Sequence, residues 1–247
     1  MKVLVAIPSY NRPYEIEKTT SFWLKQLVGI DWKVFVREEQ FIYYLQNIPI
    51  ENLVAIKATS FRETINEIGE YARQNNYDLI HKIDDDMSFK KLGKSKKEHC
   101  VEVYTETYEK IMQKFQEDED LYGISVSKPM AHMRTKDLVW ARPNKSMYGN
   151  FCVRPKVFFL PEGIELFDDV FFSLNILKEG KKTLTYTGAY ENSVCYTNVG
   201  GLQSVNRNEL SKKTIKVMQS FFPDVKEGHY KDNTDKVDID LKSLNIK

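Results

Sequence analysis

The sequence predicts an α/β protein whose central sheet is mostly parallel in its first half and mixed, with antiparallel strands, in its second. Three observations lead there. Strand-like apolar runs alternate with helical spacing through the first 84 residues. Beyond a long helix that opens at Ser95 to Glu98 and carries Phe115, the strand-like runs continue with few helices between them. Polar clusters fall at the ends of the early strands, where open parallel sheets bind their ligands.

Taken in order, Lys2 to Ile7 is apolar and β-rich, a strand covered on both faces. The loop PSYNRP follows, and Ile16, Thr20, Trp23, Leu24 and Leu27 then keep one helical spacing until Gly29. WKVFVRE is the second strand, ending in Arg37, Glu38 and Glu39; a short helix and a third strand, NLVAIKA, come next. Ser60 to Glu63 is a capping box opening an amphipathic helix through Phe61, Ile65, Ile68 and Ala72. YDLIHKI is the fourth strand. A second capping box, Ser95 to Glu98, opens a long helix with Val101, Tyr104, Tyr108, Ile111, Met112 and Phe115 on one face.

In the second half LYGISVS, LVWARP, MYGNFCVRP and TLTYTGAYE are strand-like. Helices are expected from Phe167 to Lys178 and from about Leu210 to Phe222. The chain reads as one domain, 1–247, with halves 1–90 and 91–225 and a polar tail, 226–247, expected to lie on the surface or fray.

Composition excludes several classes. With 42% hydrophobic and 29% charged residues the chain can bury a real core, and a net charge of +1 offers no global field for nucleic acid. Cys100, Cys152 and Cys195 are widely spaced without a CxxC pair, which argues against a disulfide framework or zinc knuckle and suits a reducing compartment. The apolar start stops at Pro8, too short for a signal-peptide core or a membrane span. A cytoplasmic location is the expectation.

Asp84, Asp85 and Asp86 end the fourth strand, and three adjacent carboxylates need a nearby positive charge. It is either a Lys or Arg side chain or a divalent metal. A solvated turn with capping aspartates is the plain alternative. Beside the loop 8–13 and the cluster 37–39, alternate carboxylates suit a hard cation shared with nucleotide phosphates.

IPSYNRP after the first strand, with IDDD after the fourth, resembles the GT-A glycosyltransferase fold, especially its family-2-like branch. That resemblance implies a nucleotide-sugar-binding half in residues 1–90 and an acceptor half in 91–225. It implies that Pro8, Tyr10 and Arg12 line the base and ribose pocket, with Arg37 or Glu38 nearby. By the same resemblance Asp84 faces ribose or metal, Asp86 is the main ligand of Mn²⁺ or Mg²⁺, and Asp85 substitutes for either. Such folds often place the acceptor's base at the start of a later helix. FDDVFF offers Asp169 first and Asp168 second, against the alternative of an N-cap and a first-turn acid. The C-terminal metal histidine of many such enzymes is matched by His229; a lone surface histidine is the alternative. Arg62, in the first turn of its helix, and the loop NVGGLQSVNR are candidate phosphate contacts. The donor is by default UDP-glucose.

The acceptor rests on Lys90 to Lys97, the densest basic run, joined by His132, Arg134 and Lys136. Together with PSYNR, SFRETINEIGEYA and KIDDDMSF this is similar to the TET/JBP-associated glycosyltransferases, many of them phage-encoded. That similarity implies double-stranded DNA with hydroxymethylated pyrimidines as partner, the base leaving the stack to meet tyrosines or Trp140. Thr64 to Asn66 departs from the Arg-Asn pairing of that group. A transferase acting on a polysaccharide or glycolipid would share the donor features, and a nucleotidyltransferase would use similar carboxylates, although PSYNRP lacks the glycine expected of a phosphate loop. A binding module has no need of both a metal and a base.

Overall fold

The structure is a computed structural model, described here for residues 1–94, 96–129, 139–141, 143–147, 149–193, 206–230 and 233–239. Strands β1 (Val3–Pro8), β2 (Trp32–Arg37), β3 (Leu53–Ile56) and β4 (Leu79–Lys82) pair in parallel in the order β3-β2-β1-β4. Beyond β4 the sheet turns mixed, in the order β8-β6-β9-β5. Here β6 is Leu121–Ser127, β8 is Phe151–Val153, β9 is Lys182–Ser193 and β5 is Met87–Lys90. β8 runs antiparallel to both neighbours, β6 and β9 are parallel, and β5 and the short β7 (Trp140–Ala141) lie antiparallel on β9. The expected change from parallel to mixed pairing is therefore observed.

Alternation along β1 divides the interior into two cores. Val3, Val5 and Ile7 face one layer with Trp23, Tyr44, Tyr104 and Phe115. Leu4 and Ala6 face the other with Ile65, Ile68, Phe172 and Ile215. The first layer carries α1 (Glu15–Lys18), α2 (Thr20–Leu24), α3 (Phe41–Tyr44) and α5 (Cys100–Glu117); the second carries α4 (Phe61–Gln74), α6 (Asp168–Lys178) and α7 (Arg207–Phe221). In α4 the cap is as expected: Ser60 Oγ accepts from the Glu63 amide, and the Glu63 carboxylate reaches back to Thr59. A Cβ on Gly69 would stand 2.4 Å from the Phe158 carbonyl oxygen, so glycine allows α4 to approach the 155–158 turn.

Four sequence expectations need correction. The single helix expected over 16–27 is two short helices broken at Thr19. The Thr19 and Thr20 hydroxyls donate to the Asp85 and Asp84 carbonyls at 2.7 and 2.9 Å, a local alternative to the helical ladder. The long helix begins at Cys100 after a 3₁₀ turn at Lys97–His99, without a capping side chain; Ser95 lies outside the described residues. MSFK, not expected as a strand, becomes β5, held by the Trp23 indole N–H donating to the Met87 carbonyl at 3.0 Å and by Trp23 packing edge-on against Phe89. The tail is not frayed where described: β10 (Glu227–Tyr230) and β11 (Asn233–Ile239) form an antiparallel pair. The alternation of Val237 and Ile239 with charged neighbours is the strand pattern that the high charge concealed. No helix among the described residues is long and apolar enough to cross a membrane.

Candidate active site

The carboxyl ends of β1, β2 and β4 bring the three early polar clusters to one rim. Asp85 turns inward and is 5% exposed. Its carboxylate accepts from Ser9 Oγ at 2.6 Å and meets Arg12 Nη1 at 2.7 Å. Because Ser9 spends its proton on Asp85, the Tyr44 hydroxyl 2.8 Å away donates to Ser9 Oγ while accepting the Arg12 amide at 3.0 Å. Burial pushes Asp85 up to about 6 against the opposing pull of Arg12 and Ser9, and pushes Tyr44 up to about 12. Burial also opposes the Arg12 charge, but Asp85, with Asp86 and Asp84 adding to it, outweighs burial and holds the guanidinium protonated. The middle aspartate and Arg12 are thus one enclosed ion pair.

Asp84 and Asp86, on alternate positions, flank that pair, Asp84 turning to Lys82 and Asp86 staying within reach of Arg12. The Asp84 side chain is 41% exposed and its Oδ1 lies 2.7 Å from Lys82 Nζ; Asp86 reaches Arg12 at 3.6 Å. Lys82 ends β4 inside the protein, where its Nζ also donates to the Gly149 carbonyl at 3.1 Å and lies 3.5 Å from Asp168 Oδ2. Burial works against its charge, but Asp168 and Asp84 raise it far above the ordinary lysine value.

Asp168 and Asp169 occupy the first turn of α6. Neither is the N-cap: that position is Phe167, at a left-handed φ of 60° and without a capping side chain. A bulky residue at such a φ is strained, and surrounding contacts must hold it. Burial raises both aspartates above the usual carboxylate range; Lys82 opposes this at both, and Asp168 adds to it at Asp169. Glu191 on β9 is 6% exposed and is pushed up to about 8 by burial, opposed by Lys128 and Lys82 and aided by Asp84 and Asp169.

The remaining predicted residues fall around this centre. Pro8 ends β1, half-buried. The Arg37 guanidinium stacks 4.1 Å over the Tyr10 ring, and Glu38 is exposed in the following 3₁₀ turn. Asn11, at a left-handed φ of 57°, and the side chain of Gln40 tie this loop to the start of α3. Arg62 is engaged by Glu165 at 3.2 Å and Glu63 at 3.3 Å. His81, enclosed in β4 between Asn150 and Tyr104, is pushed down to about 4 by burial and is a neutral core histidine. The His229 backbone lies in β10, but its side chain is outside the description, as are His132, Arg134, Lys136, Cys195 and the glycines at 200–201.

In the basic run Lys91 pairs with Glu106, Lys94 with Glu102 and Glu106, and Lys96 with Glu98 at 3.7 Å. Glutamates of α5 and the turn before it thus neutralise much of that stripe. Trp140 packs on Tyr186, ring centroids 5.1 Å apart.

Among the described residues no three His, Cys, Asp or Glu side chains converge on one cation. The donor set nevertheless fits a hard divalent ion: Asp84 and Asp86 place two carboxylates on this rim, and Mg²⁺-type ions take one or two carboxylates with substrate phosphates completing the shell. Two nearby buried oxygens, Asp168 Oδ2 and Glu191 Oε2, lack hydrogen-bond partners among the described residues, although Asp168 Oδ2 is within ion-pair distance of Lys82. Sequence reasoning missed Ser9, Tyr44, Lys82 and Glu191. Lys82 had a signal, a charge inside the apolar run LIHKI; a buried Glu191 had none.

No family model and no curated protein matches the sequence. Solved structures do resemble it. GalNAc-T7, in a crystal structure with UDP, GalNAc and Mn²⁺, matches with a TM-score of 0.54 at 9% identity, over 89% of this chain and 48% of that one. A mycobacterial protein matches with a TM-score of 0.52 at 9% identity, over 96% and 82% of the two chains. CMP:2-keto-3-deoxy-manno-octonic acid synthetase, complexed with CTP, matches with a TM-score of 0.46 at 13% identity, over 75% and 89%. At these identities the likeness concerns architecture alone. The chain has a GT-A-like, Rossmann-related α/β fold with a mostly parallel sheet and a mixed second half.

Proposed function

We propose that the protein is a metal-dependent glycosyltransferase that moves a sugar from a nucleoside diphosphate sugar, UDP-glucose by default, to a hydroxyl acceptor. One observation carries the reading. The end of β4 (Asp84 to Asp86) and the start of α6 (Asp168, Asp169) meet across Lys82, on the same rim as the loop 8–13. A donor-holding group and an acidic group suited to an acceptor's proton therefore adjoin. The likeness to GalNAc-T7, bound to UDP and Mn²⁺, supports it at the level of fold.

Tyr10, stacked under Arg37, offers an aromatic face to the nucleotide base, with Pro8 and Glu38 beside it. Asp84 and Asp86 hold Mn²⁺ or Mg²⁺, which when bound neutralises the diphosphate. Asp169, raised above the ordinary carboxylate range, accepts the acceptor's proton as the acceptor oxygen bonds to the anomeric carbon and that carbon's bond to the diphosphate oxygen breaks, releasing the nucleoside diphosphate. Asp168 stays with Lys82 and tunes that base. Arg62, bound by Glu165, shapes the wall beside α6.

A hydroxymethylated pyrimidine in DNA remains an acceptor to be tested, although the pairing of its lysine run with glutamates removes much of the charge that would track phosphates. The experiment is incubation with Mn²⁺ and a pool of nucleotide sugars, with either hydroxymethylated DNA or oligosaccharides as acceptor, followed by mass spectrometry. Metal-dependent nucleoside diphosphate release with a sugar mass on one acceptor is expected. Pyrophosphate release from a nucleoside triphosphate and a sugar phosphate instead would replace glycosyl transfer by nucleotidyl transfer. Neither product from folded protein would sink both.

A further inference from the structure

The Lys82 ammonium has three N–H donors and faces three oxygens, one from its own strand end and two from segments remote in sequence: Asp84 Oδ1 at 2.7 Å, the Gly149 carbonyl at 3.1 Å and Asp168 Oδ2 at 3.5 Å. The first two are hydrogen-bonding distances; the third is an ion-pair contact. The side chain is 4% exposed, and its Nζ lies 5.6 Å from the Phe151 ring centroid and 5.9 Å from that of Phe61. Those rings belong to β8 and the start of α4, so apolar walls prevent the head group from leaving.

Asp168, meanwhile, follows the left-handed Phe167. Phe167, the N-cap of α6, has no capping side chain, and within the first turn Asp169 Oδ1 accepts the Val170 amide at 2.9 Å. A strained backbone persists only where its surroundings over-determine it. Among the described residues the cation in ion-pair contact with Asp168 is Lys82. Met147 also meets α6, its amide donating to Ser173 Oγ at 2.8 Å.

We propose that Lys82 is a positioning residue: its enclosed ammonium fixes the 149–150 segment and the first turn of α6 against Asp84, so the donor side and the proton-accepting side share one frame. The consequence for turnover rests on the transferase reading, whereas the positioning itself does not. Lys82 touches no substrate in this scheme. It acts through the oxygens it gathers.

The test is amide hydrogen exchange on the ligand-free full chain, comparing wild type with Lys82→Met and Lys82→Arg. Lys82→Met is expected to speed exchange about tenfold or more in residues 149–150 and 168–171 while leaving α4 unchanged, because local opening is governed by local contacts. Unchanged exchange, or a uniform rise across β1, α4 and α6, would overturn the proposal. Should Lys82→Met fail to fold, Lys82→Arg carries the test, since its longer planar head cannot meet all three oxygens; wild-type exchange in it would also overturn the proposal. In a transferring enzyme, Lys82→Met lowers kcat by about 100-fold with a smaller change in donor KM, as expected of misplaced reacting groups. Should wild type transfer no sugar, the proposed function fails, and the exchange result still decides Lys82.

Discussion

Arg12 Nη1 stands 2.7 Å from Asp85 Oδ1, with side chains only 11% and 6% exposed, so one of the three adjacent aspartates is spent on holding the first loop to the fourth strand. Asp85→Ala would take from the enclosed Arg12 its nearest carboxylate and leave Asp86 at 3.6 Å. The expected cost is about 3 kcal/mol of stability. Urea unfolding reads it, and an unchanged midpoint would mean that the pair does not form in solution.

Asp86→Ala is expected to keep the fold and lose metal-dependent transfer. Loss of a mere supporting partner costs up to about 100-fold in metal affinity or activity, and removal of a ligand should cost at least that. Chelation should stop wild-type turnover and added Mn²⁺ restore it. Turnover that survives both the substitution and the chelator would refute the metal assignment.

Asp169 acts as a base only when ionised, and its pKa is raised by burial and by Asp168. The rate therefore falls as pH drops through that raised value, and the acid limb of kcat/KM lies more than a unit above the ~3.9 of a free aspartate. Above that limb the rate is flat. Asp169→Asn should leave nucleotide binding intact and remove this limb together with most of kcat.

Tyr10→Ala removes the ring beneath Arg37. Stacking and cation–π contacts of this kind contribute about 1 kcal/mol. Donor KM should rise several-fold with kcat nearly unchanged, the signature of binding shared by ground and transition states. A fall in kcat with constant KM would place Tyr10 at the reacting end instead.

Glu191, pushed up to about 8, keeps a proton in the native state that an unfolded glutamate releases near ~4.3. The unfolded state thus binds fewer protons across that window, and this group's contribution to stability falls as pH rises through it. Glu191→Gln removes the decline. Relative to wild type the variant should gain about 2 kcal/mol or more between pH 5 and pH 8.5 by urea unfolding. Parallel pH curves for the two proteins would contradict the enclosed, protonated carboxyl.

Much of the parallel half was legible because its signals are local. The apolar runs of β1 and β4, the capping box at Ser60 and the polar ends of the strands each depend on a few neighbouring residues. The break at Thr19 was not legible, since it arises from hydroxyls bonding carbonyls more than sixty residues away. The strand at Met87–Lys90 was hidden for the same reason: its indole partner belongs to α2.

What the sequence determined by itself was the alternation of elements, the two-sided burial of the early strands and the gathering of acidic and aromatic residues at one rim. Those follow from periodicity and from the direction of parallel strands. The tertiary structure alone decided which aspartate turns inward to Arg12, which remains at the rim, and that Lys82 joins β4 to α6. Charge pairing between distant segments depends on which side chains share an enclosed space, and only the packed chain creates that space.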